Sequence, residues 1–304
     1  MDEKELTNQL SPWILASRPK TLSAAIAPVM VGTAVAVYER SFHAGAAFAA
    51  LLAAIFIQIG TNMYNDVADF ERGTDTSDRL GPKRVTQSGL LSSRQVRTGA
   101  FLSFGMAALC GFYLIDVAGW PVIAIGVMSI LAGFAYTAGP YPLAYNGFGD
   151  LFVLIFFGFV AVCGTAYVQV GSVPAIAWPA ALGIGSIITS LLVVNTIRDM
   201  ATDEAAGRRT IPVVFGRKIG LAEYGSLLVV AYSICLAMIA FDLGAWPVLL
   251  PWITIPFAVR LYRYIAGVEG RALNWALATT AKLVLVYGTL LAAGIILSSL
   301  YPTS

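Results

Sequence analysis

Aspartate and asparagine recur at helical intervals in two places along the chain, and these side chains have the most chemistry to offer. In Asn62–Arg84, NMYNDVADFERGTDTSDRLGPKR, Asn62 is followed three and four positions on by Asn65 and Asp66, and Asp69 lies four and three positions beyond these. That spacing puts them on one helix face. Asp75 and Asp78 follow Gly73, where the helix is expected to break. In NTIRDMATDEAAGRRT, residues Asn195, Asp199 and Asp203 repeat at every fourth position and share a face. Carboxylates and amides without His or Cys suit a hard cation such as Mg2+. That ion takes one or two carboxylates and shares its shell with phosphate oxygens. Two such patches facing each other would hold metal ions around a diphosphate. Lys83, Arg84, Arg208 and Arg209 would take the remaining phosphate charge, the arginines by bidentate contacts.

The elements that must position these residues are apolar helices. Only 12% of the 304 residues are charged and 58% are hydrophobic, about half the charge of a soluble domain. Nine apolar segments are long enough to cross a bilayer as helices: 21–38, 44–65, 95–115, 119–138, 150–171, 174–197, 219–241, 244–265 and 280–299. None alternates with a period of two, which argues against a membrane barrel. The fold class is therefore all-α: a polytopic bundle of nine transmembrane helices, with the two acidic motifs facing a shared cavity. It is expected to be a single domain over 1–304 with two similar halves, 13–138 and 150–265, plus the helix 280–299. Each half ends one apolar segment in an acidic motif, and duplicated bundles tend to place sites where their repeats meet.

Charge sets the orientation. With nine helices, all but Arg40 of the 19 Lys and Arg fall on one side. That side is read as cytoplasmic, with the N-terminus and both acidic motifs on it and the C-terminus opposite. The expected location is the inner, cytoplasmic membrane. The N-terminus lacks the pattern of a cleaved signal peptide, so insertion is expected through the first spanning helix. A net charge of +2 points to no nucleic acid, and no obligatory protein partner is evident. Cys110, Cys163 and Cys235 read as buried hydrophobes without paired spacing, and the single His43 leaves no His-based chemistry.

One charged cluster at a membrane interface is an ordinary solvated loop. Two Asp clusters on one side, each followed by a Gly-containing basic segment, favour a site. Within them Glu71, Asp78 and Glu204 are read as surface charges. A secondary transporter is the alternative from a different class. It should carry ionisable groups near mid-membrane, whereas here they crowd one interface.

NDVADFERGTD with DRLGPKRVTQSG, and NTIRDMATDEAAGRRTIPVVFGR, resemble the paired motifs of the UbiA superfamily of intramembrane aromatic prenyltransferases. RPKTLSAAIAPVMVGTA at Arg18–Ala34, the GP-R--QSG pattern at Gly81–Gly89, YTAGPYPLAYNGFGDLFVLIFFG at Tyr136–Gly158 and GTAYVQ at Gly164–Gln169 are similar to the dihydroxynaphthoate polyprenyltransferases of menaquinone synthesis. The resemblance runs from about residue 13 to 220. It implies that the nine helices surround a central cavity. It also implies transfer of a polyprenyl group from an isoprenoid diphosphate to 1,4-dihydroxy-2-naphthoate, with decarboxylation, giving demethylmenaquinone and pyrophosphate. Alternative acceptors are 4-hydroxybenzoate and homogentisate.

The resemblance also implies Mg2+ held by Asn65, Asp66, Asp69 and Asp75 from the first motif and by Asp199 and Asp203 from the second. Of these, Asp66, Asp69, Asp199 and Asp203 are the catalytic candidates. Asn195 and Arg84 match diphosphate-binding positions, and Arg208 and Arg209 occupy a loop position often held by Lys. Two readings stand for Tyr136, Tyr141 and Tyr145: interface anchors, or groups that line the acceptor end and stabilise an allylic cation. Arg18 and Lys20 are positive-inside anchors or contacts to the acceptor carboxylate. Asp150 is an ordinary helix-start acid or an acceptor-orienting group.

Overall fold

Residues 11–74 and 79–301 are described by the computed structural model; Asp75 and Asp78 lie outside the described residues. Among these residues every regular element is helical. The helices are Ser11–Thr21 (α1), Ser23–Tyr38 (α2), Ala44–Glu71 (α3), Ser93–Ala118 (α4), Pro121–Thr137 (α5), Gly149–Val170 (α6), Ala177–Ala205 (α7), Arg217–Ala240 (α8), Ile255–Gly267 (α9) and Leu273–Ser298 (α10).

Six helices are long and apolar enough to cross a membrane, or seven if the bent pair α1–α2 is one span. The segment expected at 119–138 forms the 17-residue α5. The one expected at 244–265 is split into a 3-10 stretch, Trp246–Thr254, followed by α9. Pro247, Pro251 and Pro256 explain the split, because each removes a backbone donor and crowds the preceding turn. The expected count of nine spans therefore does not follow from helix length.

α7 is the central helix. Of its apolar window 78% is buried, against 28% for α3 and α4, whose outer faces carry exposed Phe48, Phe101 and Phe112. Its close packing uses glycine: a Cβ on Gly185 would lie 2.8 Å from the Gly158 Cα of α6. Such contact lets backbones approach where lipid gives helices no hydrophobic drive to associate. The largest cluster of buried side chains runs through α2, α6, α7, α8 and α10; a second joins α1, α3 and α4 through Ala16, Met63 and Phe104.

Local chemistry sets several helix ends. His43 caps α3 by accepting from the Ala46 N–H, which gives the chain's single histidine a structural use. Ser92 and Gln95 form a reciprocal capping box at the start of α4. α3 stops at Glu71, and Gly73 takes the left-handed φ of 71° that ends such helices. At the α1–α2 bend of 52°, Arg18 is held at φ 52° while its Nη2 donates to the Asn62 carbonyl (3.2 Å). The Asn62 amide in turn donates to the Ser17 carbonyl (3.0 Å) and the Thr21 hydroxyl (2.9 Å).

Candidate active site

The last turns of α3 and α7 bring the two acidic motifs to one end of a shared cavity of about 560 Å3. Asn65 and Asp69 from α3 line it, with Asn195 and Asp203 from α7 and Arg84 and Arg208 from the loops that follow. Arg18 and Lys20 also line it, as does Tyr136. Away from these groups the wall is mostly apolar, with Ile125, Phe156, Ile188 and Leu191 among its residues.

Asp69 is the hub. It is 2% exposed, yet its carboxylate is fully engaged. Arg84 Nη2 donates to Oδ2 (3.1 Å), while Arg208 Nη2 (2.7 Å) and the Tyr145 hydroxyl (2.9 Å) donate to Oδ1. Arg208 also reaches Asp203 through Nη1 at 3.4 Å, so one guanidinium spans carboxylates from both motifs. Burial disfavours the charge on Arg208, but Asp69, Tyr145 and Asp203 outweigh that and hold its pKa above the ordinary value. Asn65 accepts a hydrogen bond from the Thr137 hydroxyl of α5.

Tyr145 has its polar and aromatic surfaces occupied. Its hydroxyl donates to Asp69, contacts the Thr74 hydroxyl at 3.0 Å and accepts from Arg208 at 3.0 Å. The Arg208 and Arg72 guanidinium carbons stand over its ring at 4.4 and 5.2 Å. Burial, then the Asp69 charge, raises the phenol above its usual value, which keeps it a neutral donor.

Other sequence-nominated residues lie off the cavity wall. Asp66 is 2% exposed and accepts from the backbone N–H groups of Val85 (3.3 Å) and Thr86 (3.1 Å). Asp199 is gripped bidentately by Arg198 at 2.8 and 2.5 Å. Neither lines the cavity, nor do Lys83, Arg209 or Asp150. Asp150 is buried in the first turn of α6. Tyr141 is 58% exposed and also outside the wall. Asp75 lies outside the described residues.

From the sequence alone, Thr74, Thr137, Arg198 and Asn274 carry no assigned role. Arg198 had a readable signal: an arginine in an almost charge-free span needs a buried partner. Its side chain is 1% exposed, and besides Asp199 it donates to Asn195 Oδ1 (2.6 Å) and Asn274 Oδ1 (2.9 Å). Asn274 had no local signal, since one polar residue at the start of an apolar helix reads as an interface residue.

The donor set fits a hard cation. It is made of carboxylate and amide oxygens, and the place between Asp69 and Asp203 already carries a positive charge, the Arg208 guanidinium. Among the described residues no three His, Cys, Asp or Glu lie close enough to hold a metal alone. Oxygens from a bound diphosphate would have to complete the shell.

A family model described as the UbiA prenyltransferase family matches residues 25–283. The chain belongs to the UbiA prenyltransferase family. UbiA relatives include the 1,4-dihydroxy-2-naphthoate octaprenyltransferase of Escherichia coli, 32% identical over 98% of this chain and 99% of the relative. The protein of the same description from Mycobacterium tuberculosis is 35% identical over 93% and 96%. Among solved structures, a UbiA homolog from Archaeoglobus fulgidus bound to DMAPP and Mg2+ aligns with a TM-score of 0.65 at 15% identity, covering 92% of this chain and 99% of that one. That likeness confirms the UbiA fold of the helical bundle.

Proposed function

We propose that the protein transfers a polyprenyl group from a polyprenyl diphosphate to 1,4-dihydroxy-2-naphthoate in menaquinone biosynthesis. The supporting observation is the cavity itself, whose acidic and basic end is built from both motifs and opens into an apolar wall. A diphosphate fits the first and a prenyl chain the second. The relatives named for this acceptor align over nearly the whole chain.

In this reading the allylic C–O bond breaks and its electron pair leaves with the pyrophosphate. A ring carbon of the acceptor attacks the allylic carbon, and the acceptor carboxylate is lost as CO2. Arg84 and Arg208 stabilise the leaving group's negative charge from fixed positions. Asp69 and Asp203, with Asn65 and Asn195 at the same end, would hold Mg2+, which would supply further positive charge there. Asp66 acts from behind by holding the backbone at Val85 and Thr86. Asp69 and Asp199 would each join the ligands only by giving up part of their pairing with arginine.

The apolar wall excludes water, which would quench the cation. Tyr136 lies against Phe152 (ring centroids 5.6 Å), and Phe152 against Phe156 (4.5 Å). This aromatic row lines the cavity and offers π faces to an allylic cation. Arg18 and Lys20 supply positive charge for the acceptor's carboxylate. The motif-bearing ends of α3 and α7 face the cytoplasm by the distribution of Lys and Arg.

The test is a set of acceptors offered to purified protein with polyprenyl diphosphate and Mg2+. Prenylated product and pyrophosphate should form with 1,4-dihydroxy-2-naphthoate in preference to 4-hydroxybenzoate or homogentisate. Absence of product with every aromatic acceptor would rule out prenyl transfer.

A further inference from the structure

The loop after α3 carries Lys83 and Arg84 between two fastened points. On one side the N–H groups of Val85 and Thr86 donate to Asp66. On the other the Leu80 carbonyl accepts from Asn274 Nδ2 at 2.8 Å. Gly81 then lies flat on Arg198, so close that a Cβ there would stand 2.9 Å from Nη2. Asn274 comes from α10, far from either motif in sequence, and its Oδ1 accepts from Arg198 Nη1 at 2.9 Å. The same Arg198 grips Asp199 and Asn195 of the second motif. Neither Arg198 nor Asn274 lines the cavity.

We propose that Asn274 is a positioning residue for diphosphate binding, tying the loop that bears Lys83 and Arg84 to the Arg198–Asp199 pair of the second motif. The inference rests on the reading that this end of the cavity takes a diphosphate. An amide suits the post because it donates and accepts at once. Its carbonyl satisfies a buried guanidinium, and its NH2 holds a backbone carbonyl in a stretch with no helix or strand of its own. With both fastenings made, the Arg84 side chain is presented to Asp69 at 3.1 Å, on the wall where Arg208 arrives from the second motif. Releasing Leu80 would leave Lys83 and Arg84 anchored from one side only.

A structural role confined to Arg198 makes a different forecast. Asn274→Asp keeps an oxygen for Arg198 but loses the donor and turns an oxygen on the Leu80 carbonyl. If only Arg198 mattered, that variant would be silent.

The experiment uses full-length protein in nanodiscs, with Mg2+ and inorganic pyrophosphate as the probe in calorimetry, and steady-state KM for each substrate. Asn274→Asp and Asn274→Leu should each weaken pyrophosphate binding and raise KM for the prenyl diphosphate about tenfold, the size of one lost hydrogen bond to a well-ordered partner. KM for the acceptor should stay unchanged. Gly81→Ala pushes the loop off a guanidinium that cannot yield without breaking one of its own bonds. It should give the same split and decides the matter if Asn274→Leu does not fold. Wild-type pyrophosphate binding by Asn274→Asp, or an acceptor KM that rises alongside the donor KM, overturns the proposal. A wild-type protein that binds no pyrophosphate with Mg2+ overturns the diphosphate reading itself, and this inference with it.

Discussion

Arg208 and Asp69, 139 positions apart in the chain, meet at 2.7 Å across the polar end of the cavity. The contact joins the two motifs through one charge, because the same guanidinium reaches Asp203 at 3.4 Å. A carboxylate as buried as Asp69 needs such partners, since a bare charge there would be costly. In the proposed function both signs would meet an incoming metal–diphosphate: acids for the metal, guanidinium for phosphate.

Arg208→Gln removes the bridge and the proposed phosphate contact together. Turnover, followed as pyrophosphate release, should fall about 100- to 1,000-fold, the usual loss for a donor aimed at developing negative charge. Arg208→Lys should recover only part of it, because an ammonium group cannot span two carboxylates as a planar fork does.

Asp66 and Asp69 should separate in kind. Asp66→Ala leaves two buried N–H groups without an acceptor and should cost about 1–3 kcal/mol of stability, read as a lower thermal midpoint in detergent. Asp69→Asn keeps the side chain's shape but turns an NH2 on groups that donate and leaves Arg84 and Arg208 short of a counter-charge, so its thermal midpoint should fall as well. Its Mg2+-dependent pyrophosphate binding and its turnover should be lost.

Tyr145→Phe keeps the ring under Arg208 and Arg72 but deletes the hydroxyl that orients Asp69. We expect kcat/KM about tenfold lower with product identity unchanged. Tyr145→Leu, which also removes the cation–π surface, should be worse. If Phe and Leu behave alike, the ring contributes nothing.

Arg18→Ala should raise KM for the carboxylated acceptor and leave pyrophosphate binding alone. An acceptor lacking the carboxylate should bind wild type and variant equally. Equal KM values for the carboxylated acceptor in both proteins would reduce Arg18 to holding the α1–α2 bend.

Chelating divalent cations should stop turnover, and Mg2+ should restore it. Mg2+ alone should bind the protein more weakly than Mg2+ with pyrophosphate, because the described residues offer no complete shell. Calorimetry with and without pyrophosphate measures the difference.

Much of this was legible in the sequence. Long apolar runs specify membrane helices because each must satisfy its own backbone within lipid. Asn and Asp at every third or fourth place specify a polar face, and oxygen donors without His or Cys suit a hard cation. Asn65, Asp69, Asn195 and Asp203 were nominated that way and do line one cavity with Arg84 and Arg208. The split at Trp246–Thr254 was legible too, in three closely spaced prolines, although hydropathy alone reads straight through them.

The sequence by itself determined the bundle, the donor chemistry and the basic loops, all carried by local spacing and composition. Only the tertiary structure decided which carboxylate faces where. Asp66 and Asp69 sit about 60° apart around their helix. That rotation is enough to send one carboxylate to the backbone of Val85 and Thr86 and the other to the cavity. The ties made by Tyr145 and Asn274 join segments distant in the chain. They exist only once helix packing brings those segments within hydrogen-bonding reach, and no local pattern encodes such a distance.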